Sequence, residues 1–174
     1  MKKEIDILQE SHQVLSCLAA GALLTTKAQG KVNTMTIGWG TIGIEWGEPV
    51  FIAFVRQSRH TKTMLDATGE FTISVPDKNT DPQILSYCGT RSGKDTDKIQ
   101  DLHLTLVEPE QIHAPAIKEL PLTLECQVLY SQDQEFDRLP EAIQKRYYPA
   151  QAKDQHDVHT MYIAKIVKAY QIVD

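Results

Sequence analysis

The sequence predicts a mainly β fold with attached helices, closed as a barrel or stacked as a sandwich. Three observations carry this expectation. Six or more short runs are apolar over the length of a strand or alternate at strand period. Three or four helical stretches stand among them, all short. The two kinds of element do not alternate in a regular βαβ rhythm, so a doubly wound parallel sheet is not expected.

Taken in order, Ile7, Leu8, Val14, Leu15, Leu18 and Ala19 predict an amphipathic helix over Ile7–Ala20, which Gly21 can end. Ala22–Thr26 reads as a strand and Ala28-Gln29-Gly30-Lys31 as a polar turn. The stretch Val32–Ile44 is rich in Thr, Ile and Trp but broken by Gly38, Gly40 and Gly43. Glycines in a strand pattern mark bulges or places where a ligand approaches the backbone. Pro49–Val55 is continuously apolar and predicts a buried strand. Ser58–Ala67 reads as a helix with Ser58 near its N-cap. Phe71–Val75 is a further strand, stopped by Pro76. Asp81-Pro82 opens a helix through Tyr87, with proline at the first helical position. Gly89–Lys98 is polar and reads as a loop. Strands are expected at Leu104–Val107, Leu122–Tyr130 and Met161–Tyr170, and a short helix at Leu139–Tyr147.

The 174 residues are expected to form one domain, 1–174, large enough to bury a core without a metal or a disulfide. A formal net charge of −5 argues against nucleic acid as a partner, because phosphate binding calls for a basic surface. Cys17, Cys88 and Cys126 are far apart and odd in number, which fits neither a disulfide framework nor a CxxC motif and suits a reducing cytoplasm. Residues 1–10 mix charged and apolar positions unlike a signal peptide, and no run approaches the roughly 20 apolar residues of a membrane span. A soluble cytoplasmic protein without a membrane partner is expected.

GxGxxG, GxxxxGK[ST] and GxSxG motifs are absent. Three other segments can carry chemistry. In Asn33-Thr34-Met35-Thr36-Ile37-Gly38-Trp39-Gly40, backbone amides beside glycine can meet the polar edge of a flat heterocycle, and Trp39 offers a rigid face. The same segment also reads as an edge strand with an aromatic plug. In Arg56-Gln57-Ser58-Arg59-His60-Thr61, two arginines, two hydroxyls and helix-terminal amides can cradle a phosphate, or simply cap a helix. Thr90-Arg91-Ser92-Gly93-Lys94-Asp95-Thr96-Asp97-Lys98 can close over a ligand or form a solvated turn. His156 and His159 form an HxxH pair near Asp154 and Asp157, but spacing signals no further ligand, so no metal site is assigned.

Together these segments resemble the flavin reductase-like, FMN-binding split-barrel family, and most closely its flavoredoxin branch. The resemblance runs from about Gly21 to Tyr170 and also includes Glu70-Phe71-Thr72-Ile73-Ser74-Val75-Pro76, Cys88-Gly89 and His159-Thr160-Met161-Tyr162. It implies a split β-barrel, FMN as cofactor, a homodimer, and NAD(P)H or a redox protein as electron donor. It also implies that Asn33, Thr34, Met35 and Thr36 lie along the isoalloxazine with Trp39 beside it. Ser58, Arg59 and Thr61, with Arg56 next to them, would grip the phosphate. Thr90, Ser92 and Lys98 would cover the flavin, and His159 would approach from the last strand. The flavin would do the electron chemistry, so no catalytic residue is assigned. The chain departs from the family at His60, where an aromatic residue is frequent, and at Ala164-Lys165, where Gly-Glu is frequent. Two roles are compatible with this pattern, a flavoredoxin-like electron carrier and a flavin reductase; a non-catalytic flavin-binding or ligand-sensing module is the alternative from another class.

Overall fold

A computed structural model describes residues 1–150 and 156–173. The chain opens with a short strand β1 (Lys2–Glu4), followed by helix α1 (Ile7–Leu18). Asp6 caps α1 by accepting a hydrogen bond from the Leu8 amide, and Ile7, Val14 and Leu18 form its buried stripe. Two antiparallel hairpins follow. Strand β2 (Ala22–Ala28) turns into β3 (Lys31–Ile37) through Gln29-Gly30, and β4 (Gly40–Glu45) turns into β5 (Glu48–Arg56) through Trp46-Gly47. Both two-residue turns have positive φ at both positions, 49° and 76° in the first and 52° and 78° in the second. That geometry matches the right-handed twist of the flanking strands. The glycine-broken stretch 32–44 is thus two strands, separated at Gly38-Trp39.

Helix α2 (His60–Thr68) begins two residues later than the sequence implies. Arg59 takes the N-cap position without a side-chain cap bond, while the Ser58 hydroxyl donates to Asp157. Ser58 is therefore not the cap. After β6 (Glu70–Val75), Asp81 caps helix α3 (Pro82–Thr90), which continues through Gly89 and Thr90 rather than ending at Tyr87. A Cβ on Gly89 would stand 3.3 Å from the Thr36 Cβ, so this glycine lets the helix lie against β3. A single turn α4 (Lys98–Asp101) leads to a small hairpin of β7 (Leu106–Val107) and β8 (Ala116–Ile117). Strand β9 (Leu122–Asp133), helix α5 (Glu141–Tyr147) and strand β10 (His159–Ile172) complete the chain.

The main sheet is antiparallel and runs β3-β2-β6-β9-β10-β5-β4, with β1 added to the far part of β10. Its edge strands, β3 and β4, are consecutive in the chain. One apolar cluster takes Met35 and Ile37 from β3, Ile42 from β4, and inward residues of every strand between them, Leu24, Phe51, Phe71, Ile73, Leu124 and Tyr162 among these. Residues from both edges can enter one core only if the sheet curls until its edges approach. The result is a barrel left open between β3 and β4, with α1 contributing Val14 and Leu18 to the core. A second, smaller cluster (Leu23, Ile84, Cys88, Leu104, Ile117 and Leu120) lies outside the barrel beneath α3 and the β7–β8 hairpin. Both faces of β2 are therefore covered, which explains why Ala22 through Thr26 are all buried.

Gly40 sits where the seam meets the core. A Cβ there would stand 2.6 Å from Cζ of the fully buried Phe51. Gly40→Ala is expected to lower stability by about 1–3 kcal/mol through overpacking; an unchanged urea midpoint would show that Phe51 can move aside.

Candidate functional site

A groove runs along β3 on the outside of the barrel, in three connected parts. The middle part, a cleft of about 220 Å³, is lined by Met35 and Thr36 from β3, Ser58, Arg59, His60 and Thr61 from the β5–α2 turn, residues Cys88 through Gly93, and Lys98. A cleft of about 170 Å³ continues toward the seam, sharing Met35, Thr36 and Arg59 and adding Gly38, Trp39, Phe54, Arg56 and His159. A wider cleft of about 840 Å³ opens on the other side past Asn33, Thr34, His60, Gly93 and Lys98. All thirteen residues assigned from the sequence line one or more of these parts.

Their side chains are engaged differently. Asn33 Nδ2 donates to Thr61 Oγ1 at 2.8 Å. A Cβ on Gly93 would fall 1.8 Å from Asn33 Oδ1, so the 91–97 segment closes onto β3 as tightly as glycine alone permits. The Thr34 hydroxyl is turned into the protein, accepting from Thr25 at 2.9 Å. Thr36 Oγ1 donates to the Leu85 carbonyl at 2.6 Å. Lys98 is 4% exposed, and its ammonium donates to the carbonyls of Thr34 and Cys88, at 2.8 and 3.0 Å. Burial lowers its pKa, with Arg59 acting in the same direction. Lys98 thus ties β3 to α3. Thr90 donates to the Ser86 carbonyl of its own helix, and Ser92 Oγ accepts from the Lys94 amide.

Arg56 braces the base of the groove, donating to the carbonyls of Asp157 at 2.8 Å and Tyr147 at 3.0 Å. Arg59 differs. Among the described residues its guanidinium has no hydrogen-bond or ion-pair partner, and it lines both the middle and the seam-side clefts. Its free cation lies where those two clefts meet.

The seam end is aromatic. Trp39, partly exposed, lies 4.8 Å from the His159 ring and 5.2 Å from Tyr147, edge-on to the latter. Tyr148 O contacts His159 Nδ1 at 2.7 Å and Gln134 Oε1 at 2.9 Å. A single hydroxyl proton satisfies both contacts when Tyr148 donates to Gln134 and accepts from a protonated Nδ1, which leaves His159 Nε2 as an acceptor. Burial, with Arg56 and Arg59 adding to it, holds the His159 pKa down to about 4. His159 is therefore neutral near pH 7.

Sequence reasoning did not find Tyr147 and Tyr148, which pack against Trp39 and His159 at the aromatic end. An aromatic pair at the end of α5 gives no sign of its partners on β3 and β10. The HxxH pair separates in its contacts. His156 stacks on Phe136 at 3.5 Å and donates to the Tyr148 carbonyl, while His159 faces Trp39. Asp154 lies outside the described residues. Among the described residues no three metal-binding side chains gather at one point. Burial pushes the Cys88 thiol up to about 11 and the Cys126 thiol well above its ordinary range, so neither offers a thiolate near neutral pH.

Residues 15–174 match the family described as the flavin reductase like domain. The chain belongs to that family. Among solved structures, the flavoredoxin of Desulfovibrio vulgaris (Miyazaki F) is 24% identical, with a TM-score of 0.66 over 88% of this chain and 69% of the other. The flavoredoxin of Methanosarcina acetivorans is 25% identical, with a TM-score of 0.65 over 87% of this chain and 68% of the other. An uncharacterized protein of Archaeoglobus fulgidus is 32% identical over 99 residues, 57% of this chain and 55% of its own length. The match therefore spans little more than half of that relative. Family and topology agree on the split β-barrel expected from the sequence. Among the described residues no helix is long and apolar enough to cross a membrane.

The pKa of His159 makes the groove's aromatic end sensitive to acid. The unfolded chain binds a proton at this histidine near the ordinary value of 6.5, and the folded chain only near 4. Stability is thus complete above about pH 6.5 and falls as pH drops through 6.5 toward 4. Between pH 7 and 5 the wild type is expected to lose about 2 kcal/mol more than His159→Gln. Parallel urea curves for the two proteins at both pH values would contradict this.

Proposed function

We propose that this chain is an FMN-binding redox protein of the flavoredoxin type, an electron carrier reduced by NAD(P)H or by a redox protein. One observation carries the reading. A single groove joins an aromatic end (Trp39, Tyr147, His159) to a polar end with an unpartnered arginine (Arg59), on the segments by which the sequence resembles FMN-binding relatives.

The residues present fit the cofactor. A flat ring system needs apolar walls and a backbone free of intruding side chains, and Met35, Trp39 and the glycines 38, 89 and 93 supply them. A terminal phosphate needs cations and hydroxyl or amide donors, and Arg59 with the start of α2 supplies these. When bound, FMN supplies the electron chemistry, accepting electrons from a donor and passing them on. The protein's part is to bind and orient the ring. Lys98 and Asn33 hold the groove's walls together through Thr34, Cys88 and Thr61. Neutral His159 presents an acceptor at the aromatic end, beside the Trp39–Tyr147 ring pair. Three unpaired cysteines suit a reducing cytoplasm as the place of work.

Two solution experiments test the reading. Titration of the apoprotein by fluorescence quenching is expected to give tighter binding of FMN than of FAD. Arg59→Ala is expected to weaken FMN roughly tenfold to a hundredfold while sparing riboflavin, as expected for loss of a charge-assisted hydrogen bond. Equal or tighter FAD binding, or equal losses for both ligands, would move the phosphate away from Arg59.

We further propose a homodimer. The barrel leaves β4 as an open edge, and its hairpin exposes Ile44 and Trp46, at 58% and 62%. A pairing partner would cover both. Light scattering with FMN present is expected to give twice the 19.6 kDa of one chain; a monomer mass would overturn the assignment.

A further inference from the structure

Asp157 stands against the β5–α2 turn from the segment just before the last strand. Its Oδ1 accepts from the Ser58 amide at 2.9 Å, and its Oδ2 accepts from the Ser58 hydroxyl at 2.7 Å. The main chain around it is fixed. Arg56 donates to the Asp157 carbonyl at 2.8 Å, and the Gln57 amide donates to the Val158 carbonyl at 3.0 Å. An anionic side chain therefore occupies one amide and one hydroxyl donor at the entrance of α2. Ser58 also lines the cleft that holds Arg59 and Thr61.

We infer that Asp157 is an internal competitor for the flavin phosphate and a determinant of the affinity for phosphorylated flavin. The inference rests on the reading in which the Ser58-Arg59-Thr61 turn receives that phosphate. Carboxylate and phosphate are both anionic acceptors, and each Ser58 donor has one proton to give. Binding of the phosphate therefore requires Asp157 to surrender the pair, or else the phosphate forgoes it and lies beside a like charge. Either course subtracts from the free energy of FMN binding and leaves riboflavin, which has no phosphate, unaffected. With the flavin away, both Ser58 donors are already satisfied by Asp157, so the empty groove leaves neither of them unpaired. A site built this way exchanges FMN rather than retaining it permanently.

The test uses the full chain as apoprotein, with Asp157→Asn and Asp157→Ala, titrated with FMN and with riboflavin. The asparagine keeps a carbonyl acceptor for the Ser58 amide while removing the charge, so it preserves the turn should the alanine loosen it. Both variants are expected to bind FMN more tightly than the wild type, by about tenfold to a hundredfold, with slower FMN release and unchanged riboflavin binding. Unchanged or weaker FMN binding by Asp157→Asn, in a wild type that prefers FMN to riboflavin, would overturn the role of Asp157 and leave the FMN reading standing. Parallel losses for both ligands would make Asp157 a support of the turn and would likewise overturn it. A wild type that binds riboflavin as tightly as FMN, or binds neither, would remove the phosphate reading and this inference with it.

Discussion

Everything about this molecule that matters for binding follows from one constraint, the closure of a single antiparallel sheet around a core that its two edges must share. Strands β3 and β4 are consecutive, yet they do not pair; they meet across Gly38-Trp39 at the mouth of an unfinished barrel. Gly40 passes so close to Phe51 that no side chain fits there, and Trp39, next to it, is left at the surface rather than in the core. The seam thus places a large aromatic ring beside an open groove. The outer side of β3, which a closed barrel would pair with another strand, becomes the floor of that groove.

The groove's walls are held by polar contacts between segments far apart in sequence. The Lys98 ammonium reaches carbonyls on β3 and α3, Asn33 reaches Thr61 on α2, and Arg56 reaches carbonyls at the end of α5 and just before β10. Each of these groups would be costly to bury alone, and each is satisfied by another part of the groove. This gives the walls a fixed spacing before any ligand arrives, which reduces what binding must spend on ordering side chains. Arg59 is the exception, with no partner among the described residues. A cation left free where the middle and seam-side clefts meet is a place where a ligand's negative charge has much to gain.

Much of the fold was legible because its long strands are apolar runs with strong periodicity. The segments Pro49–Val55, Phe71–Val75, Leu122–Tyr130 and Met161–Tyr170 all lie within observed strands, each longer in the structure than its apolar stretch. Of the short strands, Leu106–Val107 was legible within the expected Leu104–Val107 run, but β1 and β8 were not. Lys2-Lys3-Glu4 carries no strand pattern and is extended because β10 offers it an unpaired edge. Ala116-Ile117 is a strand only through Leu106-Val107. Local chemistry also misled at Ser58, a good cap residue whose hydroxyl finds a carboxylate 99 residues away, and at Gly89, where a helix breaker instead permits close packing. The residues lining the groove were legible as segments, since glycine, hydroxyl and arginine clusters are visible in one dimension. Their division of labour was not, because which hydroxyl faces inward, as Thr34 does, depends on a partner strand.

The two ends of the groove are joined by the same short segment. Val158 and Asp157 hold the β5–α2 turn through Gln57 and Ser58, and His159, next along, lies against Trp39 and Tyr148. Arg56 clamps this segment from below by gripping Tyr147 and Asp157 together. A ligand that pulls on the turn at one end therefore acts on a main chain that also carries the aromatic contacts at the other. The linkage is short, with only Val158 between Asp157 and His159, and it runs through main-chain hydrogen bonds that do not stretch far. Charge at the Ser58 end and the packing of Trp39, Tyr148 and His159 at the aromatic end are consequently properties of one short segment, residues 157–159 leading into β10, rather than of two independent sites.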